Sequence, residues 1–123
     1  MTVSLLIETA IGVVDATVLG LPEELREIAR QLPVHYEPVA GNDVIAEGFE
    51  PDILGLFTGS PHGEEATGTP PSPAQILLYV ESLWGYSGES EKNYRAEVRL
   101  TYLHELGHYF GWDEDEIVAR GLD

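Results

Sequence analysis

The sequence predicts an α+β fold, with a small sheet of three or four strands packed against helices. Three observations lead there. Runs rich in Val, Ile, Leu, Tyr and Phe at 34–39, 53–58 and 75–81 have the length and composition of strands. Apolar residues between 90 and 110 recur at helical spacing, and 21–29 and 113–119 carry helix-opening signals. The chain has 123 residues, a length at which one domain buries roughly two-thirds of its unfolded surface. Residues 1–123 are therefore expected to form one domain that folds without a disulfide or a structural metal.

Residues 5–19 are rich in Val, Ile and Leu with Gly12 at their centre, and by pattern alone they fit a strand pair or a helix. At 21–29 the pattern is clearer. Pro22 suits a first helical turn, Glu23 and Glu24 follow it, Leu25, Ile28 and Ala29 share a face, and Pro33 stops it. Val34 to Val39 alternates apolar with polar, and Pro38 marks its end or an edge position. Ile53 to Thr58 and Gln75 to Glu81 are the next strands. Between them, Gly59 to Pro73 holds four prolines and three glycines, the composition of a mobile flap or an unfolded excursion. Trp84 to Gly88 reads as a connection. Ser90 then caps a helix running to about Phe110, with Leu103, Leu106 and Phe110 on one seam and Tyr94, Val98 and Tyr102 on another. Gly111 ends it, and 113–119 forms one more short helix. The predicted order is helix, strand, strand, strand, helix, helix, with helices on one face of the sheet.

Composition removes several functions. Six basic against 22 acidic residues give a net charge of −16. Such a surface repels phosphate backbones and anionic lipid, so no nucleic-acid or membrane partner is expected. There is no cysteine, which excludes thiol catalysis and Cys-type zinc sites. No Lys or Arg precedes Arg26, and Glu8 and Asp15 break the first apolar stretch. That is not a secretory signal, and a cytoplasmic location is expected.

The chemistry concentrates at His104-Glu105-Leu106-Gly107-His108. Residues four apart lie about 40° apart around a helix, so both imidazoles can meet one ion at about 2.0–2.1 Å. Zinc can bring the pKa of its water to about 7. Glu105, beside that water, would act as general base and pass the proton to a leaving amine, while the metal polarises the carbonyl. Two histidines are too few for catalytic zinc, which takes three protein ligands and a water. Gly111 allows the chain to turn back after His108. Glu114, ten residues after His104, is expected to complete the site, with Asp113 and Asp115 as competitors. Zn²⁺ suits this donor set, although nickel or cobalt fits it too.

The run from His104 to Glu114 resembles the extended zincin signature H-E-x-x-H-x-x-G-x-x-(H/D/E). More broadly, the chain resembles the small bacterial zincin-like metallopeptidases, or minimal metalloproteases. Leu21-Pro22-Glu23-Glu24-Leu25, Leu54 to Gly59, Ile76 to Tyr79 and the H-E-L-G-H-Y-F-G block carry the resemblance in order. It implies a compact zincin-like fold, a motif helix opposite a small sheet, and helical structure for 5–19. Two departures stand out. The family's third-ligand position is associated with Asp, and this chain has Glu114. The methionine turn of full-size metzincins has no counterpart, because the only methionine is Met1.

The expected activity is hydrolysis of peptide bonds in a polypeptide substrate, which could add as a strand beside 76–81 if that strand lies at an edge. The alternative is a zincin-fold metal-binding interaction or regulatory module with little or no catalysis; a non-peptide hydrolase fits the motif too. Bland roles are expected elsewhere. His35 reads as a surface or hydrogen-bonded histidine and His62 as solvated. Tyr102 and Tyr109 read as packing residues, and 113–116 equally suits a charged helix start.

Overall fold

A computed structural model describes residues 1–60 and 73–121 of the chain. His62 and most of the proline-rich segment lie outside the described residues.

Residues 5–19 belong to a helix, α1 (Val3–Leu19). Thr2 caps it, its hydroxyl accepting from the Leu5 N–H at 3.2 Å. Leu6, Ala10 and Val14, four apart, form its buried stripe. Gly12 sits on the exposed side with open space around it. There it costs helix propensity but no packing. Helix α2 (Glu23–Arg30) starts after Pro22, with acids in its first turn and Arg30 in its last. Strand β1 (Val34–Glu37) stops before Pro38, whose carbonyl accepts from the Glu81 N–H.

Three expectations need correction. A short helix, α3 (Asn42–Ala46), precedes β2 (Gly55–Thr58), and no helix was expected there. Strand β3 (Gln75–Tyr79) ends two residues early, and the chain passes directly into α4 (Val80–Tyr86), where a strand end and a connection were expected. Val80 and Leu83 explain the switch, because both are fully buried and share the core-facing side of one helical turn. Strand addition beside 76–81 is also excluded, because β3 is the central strand.

Among the described residues the sheet has order β1-β3-β2, with β1 parallel and β2 antiparallel to β3. One face carries Ile76 and Leu78 into the main core with Leu6, Ala10, Val98 and Leu106 of the long helices. The other face carries Leu56 and Tyr79 into a smaller cluster with Ala40 and Val44. The long helices thus lie on the expected face, and α3 covers part of the opposite one.

Helix α5 (Glu91–Tyr109) crosses the main core. Ser90 caps it, accepting from the Asn93 N–H at 3.3 Å. Tyr94 donates its hydroxyl to the Leu6 carbonyl at 2.8 Å, which ties α5 to α1. Trp84 of α4 packs edge-on against the Tyr94 ring. Helix α6 (Glu114–Ala119) comes last, capped by Asp113. Among the described residues, no helix is long and apolar enough to cross a membrane.

The buried tyrosines make stability sensitive to alkali. Burial, helped by the charge of Asp15, raises Tyr102 from the ordinary 10.0 to about 12, and burial raises Tyr36 and Tyr94 as well. The folded values lie above the unfolded ones, so the folded state holds protons that the unfolded chain has lost. Their stabilising contribution is complete below the ordinary phenol value and disappears as pH rises through the folded values. Thermal midpoints should hold steady up to the ordinary phenol pKa and fall between there and about 12. Tyr102→Phe should make that fall shallower.

Candidate metal centre

The C-terminal third of α5 presents His104, Glu105 and His108 on the side facing β2. The two imidazoles approach through their Nε2 atoms at 3.2 Å, with rings nearly perpendicular. Residues one helical turn apart reach each other in this way only when the helix is regular through the motif.

The turn beyond the motif brings back a third donor. The end of α5 is closed by paired backbone bonds, from the Gly111 N–H to the His108 carbonyl and from the Trp112 N–H to the Gly107 carbonyl. Gly111 has φ +80°, the left-handed conformation that reverses a chain after a helix and that glycine adopts without strain. Asp113 then caps α6, its carboxylate accepting from the Glu116 N–H at 2.9 Å. Glu116 pairs with Arg120 at 2.6 Å. Glu114 is the acid that turns inward. Its Oε1 lies 3.0 Å from His104 Nε2 and 3.6 Å from His108 Nε2. Asp113, a competitor by spacing, is thus occupied as a cap.

A close contact holds α6 in this position. Ile117 is fully buried and rests on Gly107, where an added Cβ would come within 2.5 Å of Ile117 Cγ1 and 2.7 Å of its Cδ1. Only a residue without a side chain lets α6 lie this close to α5. Arg120 also stacks over the Trp112 ring at 4.1 Å, clasping the turn from outside.

Glu105 lies on the inner side of the site. One carboxylate oxygen accepts from the Phe57 N–H of β2 at 2.9 Å. Pairing alternates along an antiparallel strand, so Phe57 and Gly55 turn their backbone groups away from β3, toward the helix. Burial raises the Glu105 pKa, while both imidazoles and the Phe57 amide oppose that shift and Glu114 adds to it. Strand β2 comes this close because residue 55 is glycine. A Cβ there would sit 2.7 Å from Thr101 Cγ2. Sequence reasoning missed Phe57, because a backbone donor leaves no signal in residue type.

The donors fit a tetrahedral ion. Ligands at about 2.0–2.1 Å in tetrahedral array lie roughly 3.3–3.4 Å apart. The triangle of His104, His108 and Glu114 has edges of 3.2, 3.0 and 3.6 Å. Glu105 also comes within 4.8 Å of both ring nitrogens. Its carboxylate is engaged by Phe57, however, and Glu114 approaches more closely. Beside the site, a groove of about 400 Å³ runs between Gly55 on β2 and Thr101 on α5, with His104 and Glu105 at its wall.

Of the remaining candidates, His35 is exposed on β1, away from this cluster. Tyr102 is buried two residues before His104, on the opposite side of α5. Tyr109 packs its ring near Phe57 and Phe110.

The family model of the zincin-like metallopeptidases matches residues 29–122, a span that includes the sheet, α5 and the turn to Glu114. No curated protein matches the chain.

The Gly107–Ile117 contact predicts a specific coupling. Gly107→Ala should destabilise the protein by about 1–3 kcal/mol, the usual cost of overpacking. Ile117→Ala, combined with it, should give a loss smaller than the sum of the two single losses. Urea unfolding of the four proteins measures this directly.

Proposed function

The chain belongs to the zincin-like metallopeptidase family, and on that premise we propose that it is a zinc-dependent peptidase with His104, His108 and Glu114 as metal ligands and Glu105 as general base. One observation carries the assignment. Three donors of the right types converge in a triangle of tetrahedral size, with a carboxylate beside them.

A zinc ion held there supplies Lewis acidity toward the scissile carbonyl and makes water a nucleophile near neutral pH. The protein's own groups do the rest. Phe57 fixes one oxygen of Glu105 through its N–H, leaving the other to take a proton from the attacking water. Burial, which raises the proton affinity of Glu105, suits a group that must accept that proton and then give it to the departing amine.

The substrate in this proposal is an extended segment of polypeptide. Among the described residues strand β2 is an edge strand, and the outward backbone groups of Gly55 border the groove that leads to His104 and Glu105. An extended peptide can pair with such an edge and set side chains against Ile53, Leu54 and Leu100. The acidic surface favours basic segments.

The purified protein should contain one zinc per chain, and His108→Ala should lose it. Glu114→Ala should weaken zinc binding, while Glu105→Gln should retain it. Cleavage of an unfolded polypeptide should fall by roughly 10²–10⁴-fold in Glu105→Gln, the scale of a lost general base. Stoichiometric zinc without cleavage would count against a peptidase and favour a metal-binding interaction module. Cleavage unaffected by Glu105→Gln would remove the role given to that residue.

A further inference from the structure

Helix α1 has an apolar seam on its outward side as well as the one it buries. Leu6, Ala10 and Val14 form the buried stripe. On the other side, Leu5, Thr9, Gly12, Ala16 and Leu19 follow at alternating steps of four and three residues, the repeat by which one helix seats against another along its length. No charged residue falls on this seam from end to end of the helix. Most of it is open. Leu5 is 46% and Leu19 62% exposed, with Gly12 and Ala16 exposed between them. A helix that is apolar on two sides needs cover on both. At Gly12 nothing lies within 4 Å of where a Cβ would stand, so no contact among the described residues requires glycine at the middle of the seam.

The two flanks of the seam carry opposite charge. Glu8 and Asp15 lie about 60–80° to one side of it around the axis. Val13 and Thr17 lie about 80–120° to the other side, where they line a groove with Arg95 and Arg99 of α5. With Lys92, these arginines are three of the six basic residues in the chain, and spacings of three and four put them on one helix face. Arg95 pairs with Glu91 of its own helix at 3.4 Å, where both side chains are exposed. Arg99, Glu8 and Asp15 form no ion pair among the described residues. Asp15 adjoins Ala16, which lines the arginine groove, so the acid and the two arginines stand at one level along α1.

We propose that this face of α1 pairs in parallel with the same face of a second copy of the chain. A two-fold axis running along the paired helices sets Leu5, Gly12 and Leu19 of each copy against the same residues of the other. It also brings the acidic flank of each copy to the basic flank of the other. Asp15 then meets Arg95 and Arg99 twice, once on each side of the seam. Antiparallel pairing brings like flanks together, acid on acid and arginine on arginine, and repulsion disfavours it. The chain carries both halves of the charge match at the same height, beside an uncharged seam. That is the surface of a self-complementary contact, and it fits a second copy better than an unrelated acidic or basic protein.

Sedimentation equilibrium of the full chain tests this, at about 0.15 M salt, where repulsion between the two acidic bodies is screened beyond about 8 Å. A reversible monomer–dimer equilibrium is expected. Asp15→Arg sets arginine against arginine, and Arg95→Asp combined with Arg99→Asp sets acid against acid. Each of these exposed changes should weaken self-association by at least about tenfold, the scale of two ion pairs replaced by two like-charge contacts. An equimolar mixture of the two variants should form a heterodimer with about the parent affinity, because both contacts return with their signs exchanged. The chain has no cysteine, so Leu19→Cys reads the direction of pairing. Under mild oxidation it should cross-link to itself faster than to a Leu5→Cys chain. A monomer at every concentration, charge variants that associate like the parent, a mixture that stays monomeric, or faster linkage between positions 19 and 5 would each overturn the proposal.

Discussion

The candidate metal centre depends on one close contact, the seat of Ile117 on Gly107. Helix α6 has six residues, too few to be stable by itself. Its position comes from burying Ile117 in the space that a side chain at 107 would fill. That burial, with the left-handed turn at Gly111, brings Glu114 to the two imidazoles. The motif therefore has a geometric requirement beyond its histidines. The glycine between them lets the next helix approach, and without that approach the third donor would point to solvent.

A second glycine sets the other wall. Gly55 lets β2 run against Thr101, and at that distance the outward amide of Phe57 reaches Glu105. The carboxylate is thus held from the strand side, while the imidazoles act on it from the helix side. Burial raises its proton affinity, and the Phe57 amide opposes that shift. A site fixed by a strand edge and a packed helix is more rigid than one carried on loops.

Helix α5 serves two environments at once. Tyr94, Val98 and Tyr102 face α1 and the core, and Thr101, His104 and Glu105 face the groove beside β2. Tyr102 and His104 are two residues apart, about 200° around the axis. The same helix therefore anchors the fold through the Tyr94 bond to α1 and presents the proposed ligands on its other side.

Much of this was legible in the chain. The cap at Ser90, the acidic start of the last helix, the stop at Gly111, and the pairing of His104 with His108 follow from local rules of helix geometry, and local rules act on neighbours in sequence. The strands at 34, 55 and 75 were visible from composition, although their ends were not. Helix α4 was hidden because Val80 and Leu83 read equally well as the end of a strand until burial fixes their face. Helix α3 was hidden because five residues carry too little periodicity to register. The strand order, which put β3 at the centre with β2 beside it, and the bond from Phe57 to Glu105 were decided by tertiary structure. They join residues far apart in the chain through backbone groups, which every residue type carries alike. The sequence by itself determined which side chains could hold a metal. Only the packing of α6 on Gly107 and of β2 on α5 decided which acid turns toward the histidines and which lies inside beside them, because both depend on how closely distant segments can approach.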